Sequence, residues 1–327
     1  MILVFTERAD LNSRIVLSYL NNYEEPFEVF LEDDAIELEY LININRNQFD
    51  YRIYKNHRFV CDSSDLKSVW YRRTDIQVYR FGTGEFSQEG LKTYSREHMN
   101  TRYEQIQRCF HAKRCLGKFG FGNYNKIEFL EQCISLNIEI PGTLITGSKQ
   151  HLLEFWKNCR GGIITKSLAF PFECVNYSQS GEADSYRMGY TISVGEAELE
   201  SLPDFFDLSL FQEKLDKLFE IRAIYLNGSV YSEAIFSQSR EVAALDYRLG
   251  YDSGMRMCNY TLPDTIEEQV QRLMEKLDLN FGSLDIVVTT DKRYVFLEVN
   301  PNGQYGAVSQ TTNSNVDYQV AKFLMNK

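Results

Sequence analysis

The hydrophobic pattern of the first hundred residues alternates short apolar runs with one helical stripe. Ile2 to Phe5 is an uninterrupted apolar run that stops at Glu7 and Arg8, which predicts a buried first strand. Ser13 is placed to cap a helix carrying Ile15, Val16, Tyr19 and Leu20. Apolar segments over 27–31 and 69–71 predict further strands, and the polar stretch from 82 to 114 predicts a helical link. Asn125 and Glu128 then stand at capping-box spacing ahead of a stripe of Ile127, Leu130 and Ile134, with Asn137 as a left-handed stop. A strand is expected over 138–145, broken by Pro141 and Gly142, and a turn followed by a strand over 161–166. The small, polar residues from 177 to 185 predict a loop. Past 210–213 come a strand over 220–226, a turn at Asn227-Gly228 and a strand over 230–236. Asp264 is expected to cap a helix carrying Ile266, Val270, Leu273 and Leu277, and two strands, a Pro/Asn/Gly turn and a helix close the chain.

Composition narrows the class. At roughly 150 residues per domain, 327 residues predict two or three packed units. No stretch approaches the roughly 18–20 apolar residues that span a bilayer, and no basic leader precedes the first strand, so no membrane partner is expected. The seven cysteines are widely spaced and form no CxxC pair, which predicts free thiols in a reducing cytoplasm. None of the four histidines stands at HxH or HExxH spacing, so His-based metal hydrolysis lacks support. A net charge of −11 argues against a general nucleic-acid binder, although a small basic site inside an acidic shell remains compatible with it. The 21 Tyr and 22 Phe are dispersed through strands, as core packing requires.

The most informative segment runs from 283 to 303. Two β-branched and aromatic runs flank Asp291-Lys292, the pattern of a hairpin. A turn centred there sets Asp285 opposite Glu298, with Asn300 on the same face. Like charges directly across a ladder repel, so a divalent cation with oxygen ligands is one explanation of the pair. The other is that each carboxylate meets a nearby Lys or Arg on an exposed face.

The order of the remaining motifs resembles the ATP-grasp superfamily. It consists of Lys126 at a helix start, Lys166 on a strand, Phe211-Gln212-Glu213, Glu220-Ile221-Arg222, Asp285, and Glu298-Val299-Asn300-Pro301, covering the chain from about residue 120 onward. Trp70-Tyr71-Arg72-Arg73, Ser237-Gln238, Asp246-Tyr247-Arg248 and Asn300-Pro301-Asn302-Gly303-Gln304 narrow the likeness to graspetide (microviridin-type) ligases. The N-terminal third is most similar to the grasp-with-spasm peptide maturases. The segment 311–315 departs from the pattern.

The resemblance implies an α/β (α+β) fold of three subdomains, over 1–115, 116–210 and 211–327, with the nucleotide between the central and C-terminal ones. It implies ATP and Mg2+ as cofactors, a precursor peptide as partner and a homodimer. Lys126 and Lys166 would contact phosphates, Arg222 would steady the γ-phosphate and the acyl phosphate, and Asp285, Glu298 and Asn300 would hold the metal. Such cations suit phosphoryl transfer, in which positioning and charge stabilisation carry the catalysis. Gln212 and Glu213 would lie at adenine, whose edge backbone groups read and whose faces Phe211, Leu215 and Phe296 pack. Glu220 would accept from the ribose hydroxyls. Arg248 suits bidentate capture of a substrate carboxylate, with Asp246 orienting it or accepting a proton, and Arg240 as a second cation. Arg72 and Arg73 could guide an acidic peptide, or could belong to an exposed strand edge. The activity so implied is ATP-dependent macrocyclisation of a ribosomally made peptide, through acyl phosphates of Asp or Glu and ω-ester or ω-amide links to Ser/Thr or Lys. The alternatives are a ligase for a small molecule or a protein C-terminus, and a nucleotide-binding regulator without catalysis.

Overall fold

A computed structural model describes residues 1–43, 48–73, 77–78, 89–118, 125–159, 161–168, 172–177 and 183–327. The N-terminal part holds β1 (Ile2–Phe5), α1 (Leu11–Asn22), β2 (Phe27–Phe30), β3 (Ala35–Asn43), β4 (Gln48–Lys55), β5 (Arg58–Asp62), β6 (Ser68–Tyr71), β7 (Gln77–Val78), α2 (Glu89–His111) and β8 (Arg114–Leu116). β1 lies inside a parallel sheet of order β2-β1-β6-β8, and this burial on both faces explains its unbroken apolar run. The remaining four strands form a second sheet, β5-β4-β3-β7. Asp10, not Ser13, caps α1: its carboxylate accepts the Ser13 N–H at 2.9 Å.

The middle of the chain holds α3 (Lys126–Ser135), β9 (Thr143–Ser148), α4 (Lys149–Asn158), β10 (Ile163–Lys166), β11 (Phe172–Tyr177), β12 (Ala183–Met188), β13 (Ile192–Val194), α5 (Glu196–Ser201) and β14 (Phe205–Glu213). Asn125 caps α3 as expected, through the Ile127 N–H at 2.9 Å, and Asn137 is left-handed at φ 55°. The strand expected over 138–145 begins only at Thr143, after Pro141 and Gly142. Much of the loop expected over 177–185 and part of the link expected over 82–114 lie outside the described residues. The sheet order is β13-β10-β14-β9, with β11 and β12 pairing separately. The expected boundary at 210/211 therefore falls inside β14, and that at 115/116 inside β8. Phe211 to Glu213 complete a ladder with β10.

The last part holds β15 (Lys217–Leu226), β16 (Ser229–Ile235), β17 (Met257–Asn259), α6 (Asp264–Lys276), β18 (Phe281–Thr289), β19 (Tyr294–Asn300), α7 (Gly306–Thr311) and α8 (Val316–Met325). Asn227-Gly228 turns β15 into β16 with φ of 45° and 96°. Asp264 is the first residue of α6 and not its cap, a position held by Pro263. The strands form an antiparallel sheet of order β17-β16-β15-β18-β19.

One face of this sheet is apolar throughout. Ile221, Ala223, Tyr225, Leu284, Ile286 and Phe296 pack with Phe129 of α3 and Val270, Leu273 and Met274 of α6. The other face is divided. At one end Ile224, Leu226 and Phe281 join Val316, Val320 and Leu324 of α8 against Ile2, Val4 and Trp70 of the first sheet and Val16 of α1. At the other end Glu220, Arg222, Glu233, Asp285 and Glu298 replace the apolar residues, and this polar end is the candidate site.

Candidate active site

The polar end is a row of charges across four strands. Glu233 on β16 pairs with Arg222 on β15, Arg222 with Asp285 on β18, and Asp285 with Glu298 on β19. Paired residues share a face, so one row carries three carboxylates and one guanidinium. The predicted Asp285–Glu298 pairing is present, but by a different route. Nearer the turn, Val288 faces Tyr294 and Ile286 faces Phe296, and a bulge at Leu297 then brings Glu298 opposite Asp285. The bulge breaks parity along β19. Phe296 points into the core with no exposed surface, while Glu298, two residues on, points into the site. Phe296 is thus not available to pack an adenine ring, and Phe211 is buried against Phe206 in the core of the central sheet.

Cations converge on the row from two directions. Lys126, at the first turn of α3, places its ammonium 3.6 Å from Glu298, and Lys166, at the end of β10, places its own 3.5 Å from the same carboxylate. Lys126 also donates to the Ser167 carbonyl at 2.6 Å. Burial pulls the Lys126 ammonium below its ordinary range and Lys166 adds to the fall, while Glu298 opposes it. Burial works against ionising Glu298, but Lys166, Lys126 and Arg248 together outweigh it and hold the carboxyl below the usual range. Arg222 stands 3.6 Å from Asp285 and donates to the Tyr247 hydroxyl.

Asp285 differs from Glu298. Its Oδ1 is buried and accepts no hydrogen bond, and burial pushes its carboxyl up to about 6. Arg222 and Arg248 oppose that rise, and Glu298 and Glu220 add to it. A hard divalent cation bridging Asp285 and Glu298 would satisfy the orphaned oxygen and relieve the repulsion. Asn300, two pairs along the ladder opposite Ser283, offers an amide oxygen that accepts the Asn302 N–H at 3.0 Å and has a further lone pair. Among the described residues no group of three or more His, Cys, Asp or Glu could hold a metal. Two carboxylates and an amide fit instead a magnesium ion that completes its shell with phosphate oxygens and water.

Asp246 and Arg248 form a fork-to-fork pair: the Arg248 Nε donates to Oδ1 at 2.8 Å and its Nη2 to Oδ2. Asp246 further accepts the backbone N–H of Arg248 at 3.2 Å and of Thr191 at 3.1 Å. Burial would raise its carboxyl, but these donors hold it below the usual range, so it orients Arg248 and is a poor proton acceptor. The Arg248 guanidinium also lies over the Tyr190 ring, 5.6 Å from its centroid. Arg240 is exposed between the 3-10 turns Ser237–Ser239 and Glu241–Ala243 and takes part in none of these ion pairs.

The expected adenine side is tightly bonded. Gln212 is buried and donates to Thr143 Oγ1 at 3.0 Å. Glu213 accepts the Gly142 N–H at 2.9 Å on its side chain and returns its own N–H to the Gly142 carbonyl at 2.9 Å. The Lys214 N–H is spent on the Gly162 carbonyl, so neither amide is left to read a base edge. Glu220 accepts from Lys217 at 3.0 Å and from Ser237 at 2.7 Å through one oxygen.

The two arginines near β6 part company. Arg73 is partly exposed, 3.6 Å from Glu7. Arg72 is 1% exposed and cannot meet a peptide, because β6 is an interior strand and the side chain points into the molecule. Tyr247 and Ser237, which the sequence motifs include without a role, and Lys217, which they do not include, bond Arg222 and Glu220. Tyr247 was within reach, since it stands between Asp246 and Arg248.

No protein-family model matches the chain, and no curated protein matches it. Solved structures do. Macrocyclase MdnC from Microcystis aeruginosa MRC, bound with precursor peptide MdnA, is similar over 99% of this chain and 99% of its own, at 22% identity and a TM-score of 0.75. A RiPP-associated ATP-grasp ligase from Chryseobacterium gregarium, in complex with ADP and a leader and core peptide, is similar over 99% and 96%, at 21% identity and a TM-score of 0.77. Macrocyclase MdnB from Microcystis aeruginosa MRC follows at 99% and 98%, 23% identity and 0.71. The expected fold is borne out: the chain shares the fold of these ATP-grasp ligases over 99% of its length.

Proposed function

We propose that the chain is an ATP- and magnesium-dependent ligase that closes rings in a ribosomally made precursor peptide. The observation that carries the proposal is the meeting of Lys126, Lys166 and Arg222 with Asp285 and Glu298 at one polar end of the last sheet. Three cations suit a triphosphate and its transfer, and the carboxylates suit the metal that accompanies it. The fold, shared with ligases caught with ADP and with leader and core peptide, supports the same reading.

In this scheme an Asp or Glu carboxylate of the peptide attacks the γ-phosphorus and ADP leaves. A Ser/Thr hydroxyl or a Lys amine then attacks the acyl carbon, phosphate departs, and the nucleophile's proton passes to solvent or phosphate. Lys126 and Lys166 bind phosphate oxygens, and Arg222, steadied by Tyr247, faces the transferred group. Arg248, pre-set by Asp246, keeps donors for the substrate carboxylate. Magnesium, when bound by Asp285, Glu298 and Asn300, neutralises charge on the phosphates.

Incubation with the cognate precursor, ATP and Mg2+ should remove about 18 Da per link, one water for each condensation. Glu298→Gln should abolish the loss and keep the circular-dichroism spectrum, since its part is charge and not packing. An unchanged precursor mass with the wild-type enzyme would sink the proposal. We further infer self-association into a homodimer, supported by Leu41, Ile42 and Phe49, exposed by 58%, 71% and 51% on the β3–β4 hairpin. Sedimentation at micromolar concentration should give twice the chain mass, and a monomer there would refute it.

A further inference from the structure

Arg72 is a buried guanidinium that the proposed chemistry leaves without a role. One edge grips Asp10, with Nε donating to Oδ2 and Nη2 to Oδ1, both at 3.2 Å. The other edge grips a loop 230 residues away: Nη1 donates to the Asn302 carbonyl at 2.8 Å and the Gly303 carbonyl at 3.2 Å, and Nη2 to Gln304 Oε1 at 2.9 Å. Its plane lies over the Tyr305 ring, 5.3 Å from the centroid. Asp10 is itself fixed as the cap of α1. The grip thus runs from the first sheet and its helix to the four residues after Pro301.

That loop is an extension of the metal hairpin. The Asn302 N–H donates to Asn300 Oδ1 at 3.0 Å, and the Gly303 N–H to the Asn300 carbonyl at 3.1 Å, closing a tight turn on Asn300. A Cβ at Gly303 would come within 2.2 Å of the Ser283 Cβ, and Ser283 pairs with Asn300. Ser283 packs the turn from one side and Arg72 draws in its carbonyls from the other. Both bear on the turn whose Asn302 N–H is bonded to the Asn300 side chain.

We propose that Arg72 is a positioning residue for the metal, holding the turn after β19 so that Asn300 and Glu298 present their oxygens as a fixed pair. Metal affinity is thereby tied to the docking of the last sheet on the first. The inference rests on the reading of Asp285, Glu298 and Asn300 as magnesium ligands. Lysine in place of Arg72 keeps one charge against Asp10 but cannot span five acceptors on two sides.

Mn2+ serves as the paramagnetic probe, with free ion counted by electron paramagnetic resonance in the presence of ADP. Arg72→Lys should weaken Mn2+ binding about tenfold or more, the scale of an outer-shell loss. Gln304→Ala, at an exposed side chain, should weaken it about fivefold through one lost hydrogen bond, and carries the test if Arg72→Lys does not fold. ADP affinity without metal should match wild type in both. Wild-type Mn2+ affinity in the variants, even with lowered melting temperature, overturns the positioning role. Absence of Mn2+ binding by the wild type overturns the metal reading beneath it, which keeps the two failures apart.

Discussion

Glu233 is the carboxylate in the charged row with neither lysine nor metal candidate beside it. It has no exposed surface. Burial pushes its carboxyl above the usual range, with Thr311 and Arg222 pulling against the rise. A carboxyl with a raised folded-state pKa favours the folded state while protonated. Its contribution is full below the unfolded value of about 4.3 and is lost as pH climbs through the folded value. Glu233→Gln should therefore melt higher than wild type near pH 7, with the advantage shrinking as pH falls toward 4. Parallel melting curves across that range would show that Glu233 carries no such penalty. At this scale the sequence was readable where a residue's partners follow from ladder arithmetic. Asp285 with Glu298 came from one turn, and Arg222 with Glu233 follows from Asn227-Gly228 in the same way. Arg72 was not readable, because nothing near it in the chain signals a partner at 302–304.

Among the elements, β19 shows where pattern reading goes astray. Val295, Phe296 and Leu297 form an apolar triplet that strict alternation cannot place, and the bulge resolves it by taking Leu297 out of the pairing. A uniform register would have set Phe296 beside Asp285's side of the sheet, as the adenine expectation assumed. Deleting Leu297 should restore a regular ladder with Glu298 still across from Asp285, but aimed differently. The variant should keep its sheet content while turnover falls on the order of 100-fold, the scale of an ångström-size misplacement. Turnover near wild type would mean that the bulge serves the core alone. The helix starts illustrate the same limit: Asp10 holds the position expected of Ser13, because several nearby polar residues satisfy the composition of a cap, and Pro263 holds that expected of Asp264 with no side-chain bond.

The whole molecule does not divide where composition divides it. Motif order was enough to foresee the fold, yet the boundaries fell inside β8 and β14, since local pattern marks elements and not the sheets they join. The largest surprise is α8, whose Val316, Val320 and Leu324 share a core with Ile2, Val4 and Trp70. Ser68 also donates to the Leu324 carbonyl at 2.8 Å. A fragment of residues 1–118 should consequently aggregate or bind hydrophobic dye, while the full chain melts in one transition seen alike by far- and near-ultraviolet circular dichroism. A soluble, folded fragment would show that the first sheet needs no cover from α8.

That shared core also sets a timetable for synthesis. The first sheet is complete at Leu116, but α8, which shares its core, begins only at Val316, some 200 residues later. At about 5–20 residues per second the interval is on the order of 10 to 40 s. Throughout it Ile2, Val4 and Trp70 have Val16 and Leu20 of α1 beside them but lack the cover of α8. Once made, α8 closes the core over β1, and the turn after Asn300, made shortly before it, comes within the grip of Arg72.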